Sequence, residues 1–324
     1  MIAGLVCLIL VVGGTTRLTE SGLSIVRWDP VTGVVPPMSA DDWQAAYAGY
    51  LAIPEAQSVH RGITLAEFQG LFWWEWVHRI LARLVGLVIA VPFFVLLLRG
   101  RIRPALQLRL ANLPILVAAQ GVLGWYMVKS GLTDRTDVSP YRLVAHLGVA
   151  MLIYVIATWT AMTMGQEEGA ATGERSTHLA GDRTALLVAA LALVTLLSGG
   201  FVAGLDAGRV YNTFPFMGDG LLPREYWTVV SGWRNWFENP AAAQFNHRLF
   251  AVGTLVTVLV LWIRRHRANA RWHLVALAAL VQVALGITTL LLSVPIPVAA
   301  LHQLGAVALL TTGLWAAAGR PRER

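Results

Sequence analysis

The run Phe72-Trp73-Trp74-Glu75-Trp76-Val77-His78-Arg79-Ile80-Leu81-Ala82-Arg83, continued by LVGLVIAVPFFVLLL to Leu98, decides the class of this chain. Beyond Arg83 it holds no charged residue, and its full extent exceeds the ~20 residues that one bilayer crossing needs. At one end it also carries a carboxylate, an imidazole and two guanidinium groups. Ionisable groups inside a membrane helix are costly and usually functional. Composition agrees: 56% of the 324 residues are hydrophobic and 13% are charged. Soluble domains hold about 25% charged residues, and the mean hydropathy here is +0.60. A water-soluble enzyme, a disordered chain and a secreted disulfide scaffold are excluded. The net charge of +7 needs no nucleic-acid partner, because Lys and Arg gather in cytoplasmic loops. The single Cys7 excludes an intrachain disulfide and a CxxC redox pair.

Outward from this run, apolar segments predict eight helices, near residues 1–15, 72–98, 108–128, 141–163, 184–203, 244–263, 272–293 and 297–317. Arg99, Arg101, Arg103 and Arg109 follow the second; Arg264, Arg265, Arg267 and Arg271 follow the sixth; Arg320, Arg322 and Arg324 follow the eighth. With the polar stretch from Gln166 to Arg183, which includes Arg175, these are the inner connections by the positive-inside rule. The long connections 16–71 and 204–243 then lie outside, and both termini are cytoplasmic. Trp73, Trp74, Trp76, Trp125, Trp227, Trp233 and Trp236 sit near outer helix ends, where indole rings anchor at headgroup level. The first run is short and lacks both a basic flank and an A-x-A site. It reads as a first helix whose natural start lies upstream of Met1, not as a signal peptide.

The halves answer each other in order. Val12-Gly13-Gly14 matches Ser198-Gly199-Gly200, and His78-Arg79 matches His247-Arg248. Gln120-Gly121-Val122-Leu123-Gly124 matches Gln282-Val283-Ala284-Leu285-Gly286, and the segment around His146 matches that around His302. Four helices return the chain to its starting side, so the repeat is parallel, with its axis along the membrane normal. The expected fold is an all-α integral membrane protein of eight transmembrane helices, built as two parallel four-helix-bundle repeats. Its parts are an N-terminal half at 1–163 with the outer loop 16–71, a cytoplasmic linker at 164–183, and a C-terminal half at 184–324.

Of eight histidines, His60, His178, His266 and His273 fall in loops or at inner helix ends and read as solvated. His78, His146, His247 and His302 lie five or six residues inside the outer ends of even-numbered helices, roughly 8 Å below the entry point. A lone membrane histidine is usually a packing residue. Four in repeat-equivalent pairs at one depth point to axial ligation of haem, one site per half. Zinc would want further ligands. Arg79, Arg142, Arg248 and Arg83 need anionic partners, either haem propionates or, for Arg79 and Arg83, Glu75 and outer-loop acids.

The halves differ in a titratable group beside the histidine. Glu75 stands three residues before His78, on the same helix face, where the second half has Gln244 before His247. A poorly solvated carboxyl group can act as acid or base near neutrality; alternatively it bonds a histidine or pairs with Arg79. The first half therefore reads as the reaction site and the second as a redox-cofactor site.

Gly13-Gly14-Thr15-Thr16-Arg17-Leu18-Thr19-Glu20-Ser21-Gly22-Leu23-Ser24, with Trp28-Asp29-Pro30, Gly33 and Pro36-Pro37, resembles the first outer loop of haem A synthases. Phe72 to Arg79 with Arg83 resembles that family's second helix, and Asn246-His247-Arg248 its sixth. The likeness runs helix for helix along the chain and is closest to the proteobacterial and mitochondrial branch. It implies an oxidoreductase that turns the C8 methyl of haem O into a formyl group by successive hydroxylations, giving haem A for terminal oxidases. On this chain it would make His247 and His302 the ligands of a resident haem b. His78 and His146 would hold the substrate haem, and Glu75 would be the essential carboxylate. The cysteine pair of some relatives is absent, so no thiol role carries over. Implied partners are haem O, haem O synthase, an electron donor, membrane lipid and a second copy of the chain. The implied location is the bacterial inner membrane, with the haem sites near the periplasmic side. A di-haem b electron-transfer cytochrome is the alternative; it would hold two permanent haems and need no Glu75. A parallel-repeat transporter fits less well, since no helix is interrupted at mid-membrane.

Overall fold

The computed structural model describes residues 1–132, 138–171 and 182–318, the side chains of 165–171 excepted. Arg175, His178, Arg320, Arg322 and Arg324 lie outside the described residues. The chain is an all-α, multi-pass membrane protein. Its helices are α1 (Ile2–Leu18), α2 (Ala40–Leu51), α3 (Pro54–Ser58), α4 (Leu65–Leu98), α5 (Pro104–Gly131), α6 (Pro140–Ala171), α7 (Thr184–Gly204), α8 (Asn235–Glu238), α9 (Pro240–Arg265), α10 (Arg271–Leu291) and α11 (Ile296–Ala317). Among the described residues, seven helices are long and apolar enough to cross a membrane, and Ile2–Leu18 is a shorter apolar helix. Trp73, Trp74, Trp227, Trp233 and Trp236 are exposed, as anchoring rings require.

Helix starts are set by local chemistry. α4 begins at Leu65, two turns before the apolar run, because Thr64 and Glu67 form a capping box. The same device, Ser39 with Asp42, starts α2. Proline opens α3, α5, α9 and α11 at a position where its missing N–H has no intrahelical partner to lose. Asn239 caps α9 by accepting from the amides of Ala241 and Ala242.

The chain divides into two compact units, Met1–Ile153 and Tyr154–Arg324. In the first, α4 packs between α1 and α5. The segment expected as a long outer loop is in large part folded. Leu23, Tyr50, Ile53, Phe68 and Phe72 are buried in one aromatic-rich cluster over the start of α4. Trp43 meets Phe72 edge-on with centroids 5.0 Å apart, and the Tyr50 hydroxyl shares a 2.5 Å hydrogen bond with His60 Nδ1. His60, expected as a solvated residue, is thus a packing partner. Short amphipathic helices give no membrane-length signal, so hydropathy alone left this segment shapeless.

In the second unit, α7 packs on α9, α9 on α10, α10 on α11, and α11 back on α7. This closed four-helix ring sets α9 and α11 on its diagonal. The connection between α7 and α9 is secured by polar contacts. The Tyr226 hydroxyl donates to Asn246 Oδ1 at 3.0 Å, and Asn239 Nδ2 donates to the Glu225 carbonyl at 2.8 Å. At the other end of the ring, Trp262 Nε1 donates to His273 Nδ1 at 3.1 Å, with His266 tilted against Trp262 and edge-on to His273.

Candidate functional site

The four histidines lie on α4, α6, α9 and α11, and each ring rests against a glycine of the apolar helix that precedes it in the chain (α1, α5, α7 and α10). A Cβ built on Gly13 of α1 would stand 2.8 Å from His78 Cε1, and one on Gly124 of α5 would stand 3.1 Å from His146 Cε1. In the second unit the distances are 3.0 Å from Gly199 of α7 to His247 Cε1 and 2.8 Å from Gly286 of α10 to His302 Cε1. Real Cβ atoms essentially never approach below 3.0 Å. Gly13 and Gly286 thus yield space that a Cβ could not share with the imidazole, and at Gly124 and Gly199 the ring would have to give by a few tenths of an ångström. This explains a residue otherwise unfavourable in a helix. Sequence comparison of the halves found these glycines, but their role as cradles needed coordinates.

His247 and His302 face each other inside the ring of helices, with ring centroids 6.4 Å apart and planes at 87°. Two metal–imidazole bonds of roughly 2 Å, with each centroid about 1.1 Å behind its nitrogen, would put the centroids about 6.3 Å apart. The pair therefore stands at the separation that one shared metal requires. His78 and His146 are near enough to act on each other electrostatically. Gln120 and Gly124, one turn apart on α5, both address α6. The amide Nε2 of Gln120 donates to the His146 carbonyl at 3.0 Å, while Gly124 cradles the ring.

The nitrogen inventory of the rings is informative. Nδ1 of His78, His146 and His302 is buried without a hydrogen-bond partner. Nδ1 of His247 bonds Ser198 Oγ at 2.9 Å. Among the described residues, Nε2 of none of the four makes a hydrogen bond. Buried polar atoms are nearly always satisfied in a finished site. Nε2 nitrogens that no protein group engages, glycine cradles and one pair at ligating distance fit a group bound between the rings. The histidines stand in twos, and no cluster of three or more His, Cys, Asp or Glu occurs among the described residues. Two imidazoles on facing helices suit haem iron.

The arginines do something the sequence did not disclose. Arg79 donates to the carbonyls of Ile25 at 2.8 Å and Arg27 at 3.0 Å, and Arg83 to those of Asp29 at 2.8 Å and Pro30 at 2.9 Å. Arg248 does the same in the second unit, donating to the carbonyls of Tyr211 and Thr213, each at 2.9 Å. These side chains clamp the segment that follows α1 in the first unit and α7 in the second. Arg142 lies over the Tyr126 ring, 4.5 Å from its centroid.

Glu75 is 2% exposed. Its Oε1 accepts from Arg79 Nη2 at 2.6 Å and Nε at 3.0 Å, and its Oε2 accepts from Ser24 Oγ at 2.8 Å and the Ile25 amide at 2.7 Å. Of the two readings open in the sequence, pairing with Arg79 is the one realised. Ser24 and Ile25 were not foreseen as its partners, because backbone donors leave no signature in a motif. Four donors, two of them from one guanidinium, are what an ionised carboxylate accepts.

Comparison with known proteins adds an independent line. Residues 1–314 match the COX15-CtaA family model, described as cytochrome oxidase assembly protein. A protein of Nitrosomonas eutropha named "Heme A synthase" is 44% identical, covering 96% of this chain and 89% of its own length. Proteins of the same name from Rhodospirillum centenum and Parvibaculum lavamentivorans are 46% and 43% identical, each covering 97% of this chain. No solved structure matches the chain significantly.

Proposed function

The chain belongs to the COX15-CtaA family of cytochrome oxidase assembly proteins, the haem A synthases, and on that premise we propose that it oxidises haem O to haem A. The step is conversion of the C8 methyl of the substrate porphyrin to a formyl group by successive hydroxylations. The observation that carries the site assignment is the His247–His302 pair, 6.4 Å apart across the bundle diagonal. On this reading His247 and His302 hold a resident haem b, which when bound supplies electron transfer. His78 and His146 hold the substrate haem in the first half. Arg79, Arg83, Arg142 and Arg248 shape the outer rim. All four were also read as propionate partners, and their occupied donors favour the loop-clamping role for Arg79, Arg83 and Arg248.

Glu75 contributes as an anion. Through Ser24, Ile25 and Arg79 it holds the outer segment shut over the face of α4 that bears His78. Proton transfer at Glu75 Oε2 requires withdrawal of the Ser24 or Ile25 donor, so opening of this segment and acid–base work there are coupled.

The wider organisation is proposed on the same footing. Ile2–Leu18 and the seven longer helices form eight spans in two parallel halves, 1–163 and 184–324, joined by the linker 164–183. The four matched glycine cradles and the two matched arginine clamps support this. The protein sits in the bacterial inner membrane with cytoplasmic termini, its haem sites near the periplasmic side. There it meets haem O, haem O synthase, an electron donor and a second copy of itself. Co-expression with a haem O supply, followed by extraction and chromatography of the haems, tests the activity. Haem A that depends on this chain is the expected result; haem O left unchanged would reject it.

A further inference from the structure

One hydroxyl separates the two matched histidines that open the halves. Ser198 Oγ donates to the Thr195 carbonyl one turn earlier on α7, at 2.6 Å, and lies 2.9 Å from His247 Nδ1. A serine has one proton to give. With that proton on the carbonyl, Ser198 Oγ accepts from His247, so the imidazole proton sits on Nδ1 and the lone pair on Nε2. The register-equivalent residue before Gly13 is Val12, whose side chain has no polar atom to offer, and Nδ1 of His78 is buried without a partner. Both rings rest against a glycine, and His247 lies in addition beside the Thr195 carbonyl that Ser198 bonds.

We infer that Ser198 is a positioning residue that fixes His247 as an Nε2 ligand and makes the second site the retentive one, whereas Val12 leaves the His78 ring untethered and its haem exchangeable. This rests on the haem-binding reading above. The physical basis is general: a hydrogen bond to the second nitrogen of a ligating imidazole fixes its tautomer and orientation and raises its basicity, and loss of such a partner weakens metal affinity about 10–100-fold. A cofactor should be gripped in this way; a haem that arrives as substrate and leaves as product should not. The inference assigns the two sites without using Glu75.

The test uses the full chain purified in detergent from haem-replete membranes, as wild type, Ser198→Val, Ser198→Thr and Val12→Ser. Haem per protein, the rate of haem transfer to excess apomyoglobin and the midpoint potential of the retained haem are measured. Ser198→Val should lose its retained haem at least 10-fold faster, with the potential shifted upward because a less basic ligand stabilises the ferric state less. Ser198→Thr, which keeps the hydroxyl, should behave as wild type in both measurements. Val12→Ser should slow haem loss from the first site, an arm that stands even if Ser198→Val fails to assemble. A wild type that retains haem, with Ser198→Val unchanged in transfer rate and potential, or with Val12→Ser unchanged in haem loss, would overturn the Ser198 assignment alone. A wild type that retains no haem would overturn the haem reading itself.

Discussion

The face of α4 that bears Glu75 and Arg79 and the face of α9 that bears Gln244 and Arg248 are the same design with one charge changed. In both, an arginine one turn beyond the acid or amide position grips backbone carbonyls of the segment after the preceding apolar helix: Ile25 and Arg27 in the first unit, Tyr211 and Thr213 in the second. In the first unit Glu75 accepts from that arginine and from Ser24 and Ile25. In the second, Gln244 reverses the polarity: its Nε2 donates to the Tyr211 carbonyl at 3.0 Å, and its Oε1 is buried without a partner. A loop clamp therefore needs the arginine only. The carboxylate is an addition specific to the first unit, and a buried carboxylate retained where an amide suffices for packing points to chemistry.

The largest effect that can break this comparison comes from the ligands. His302→Ala should strip or alter the resident haem, whereas His78→Ala should leave its absorption spectrum in place while haem A production stops. Equal loss of the resident spectrum in both variants would erase the assigned division of labour. Glu75→Gln comes next. It converts the first unit's polar arrangement into the second's, keeps the side-chain shape, and should abolish haem A production while preserving the resident haem's spectrum. Removing one partner of a buried ion pair costs about 3–5 kcal/mol, so the variant's thermal stability should be measured alongside. Persistent turnover would show that the carboxylate has no part in the reaction. A smaller effect is expected from the cradles. Gly286→Ala drives a methyl into the His302 ring, and overpacking of this kind costs roughly 1–3 kcal/mol. Resident haem affinity should fall about 5- to 150-fold, with occupancy lowered accordingly, and Gly124→Ala should lower turnover without touching that occupancy. Unchanged occupancy in Gly286→Ala would mean that the ring can shift freely.

Much of this site was legible in the sequence because its elements repeat. His78 with His247 and His146 with His302 declared themselves by register, and Gly13, Gly124, Gly199 and Gly286 lay in the matched segments. Membrane spans were legible because hydrocarbon thickness fixes their length. The missed features share a physical cause. The partners of Arg79, Arg83 and Arg248 are backbone carbonyls, which every residue possesses, so nothing in residue type marks them. The outer segment's helices are too short for a bilayer-length signal, although Ser39-x-x-Asp42 and Thr64-x-x-Glu67 announce their starts. The contrast of Ser198 with Val12 was visible as letters, but its meaning depended on a distance to Nδ1.

The central claim is that imidazoles from diagonal helices share one iron. Low-temperature EPR of the haem retained by the purified wild-type chain tests it most directly. The account predicts a low-spin ferric signal of bis-imidazole type, converted to high spin or lost in His302→Ala and in His247→Ala. A retained haem that is high-spin in the wild type, or low-spin and unaltered in both variants, would contradict it.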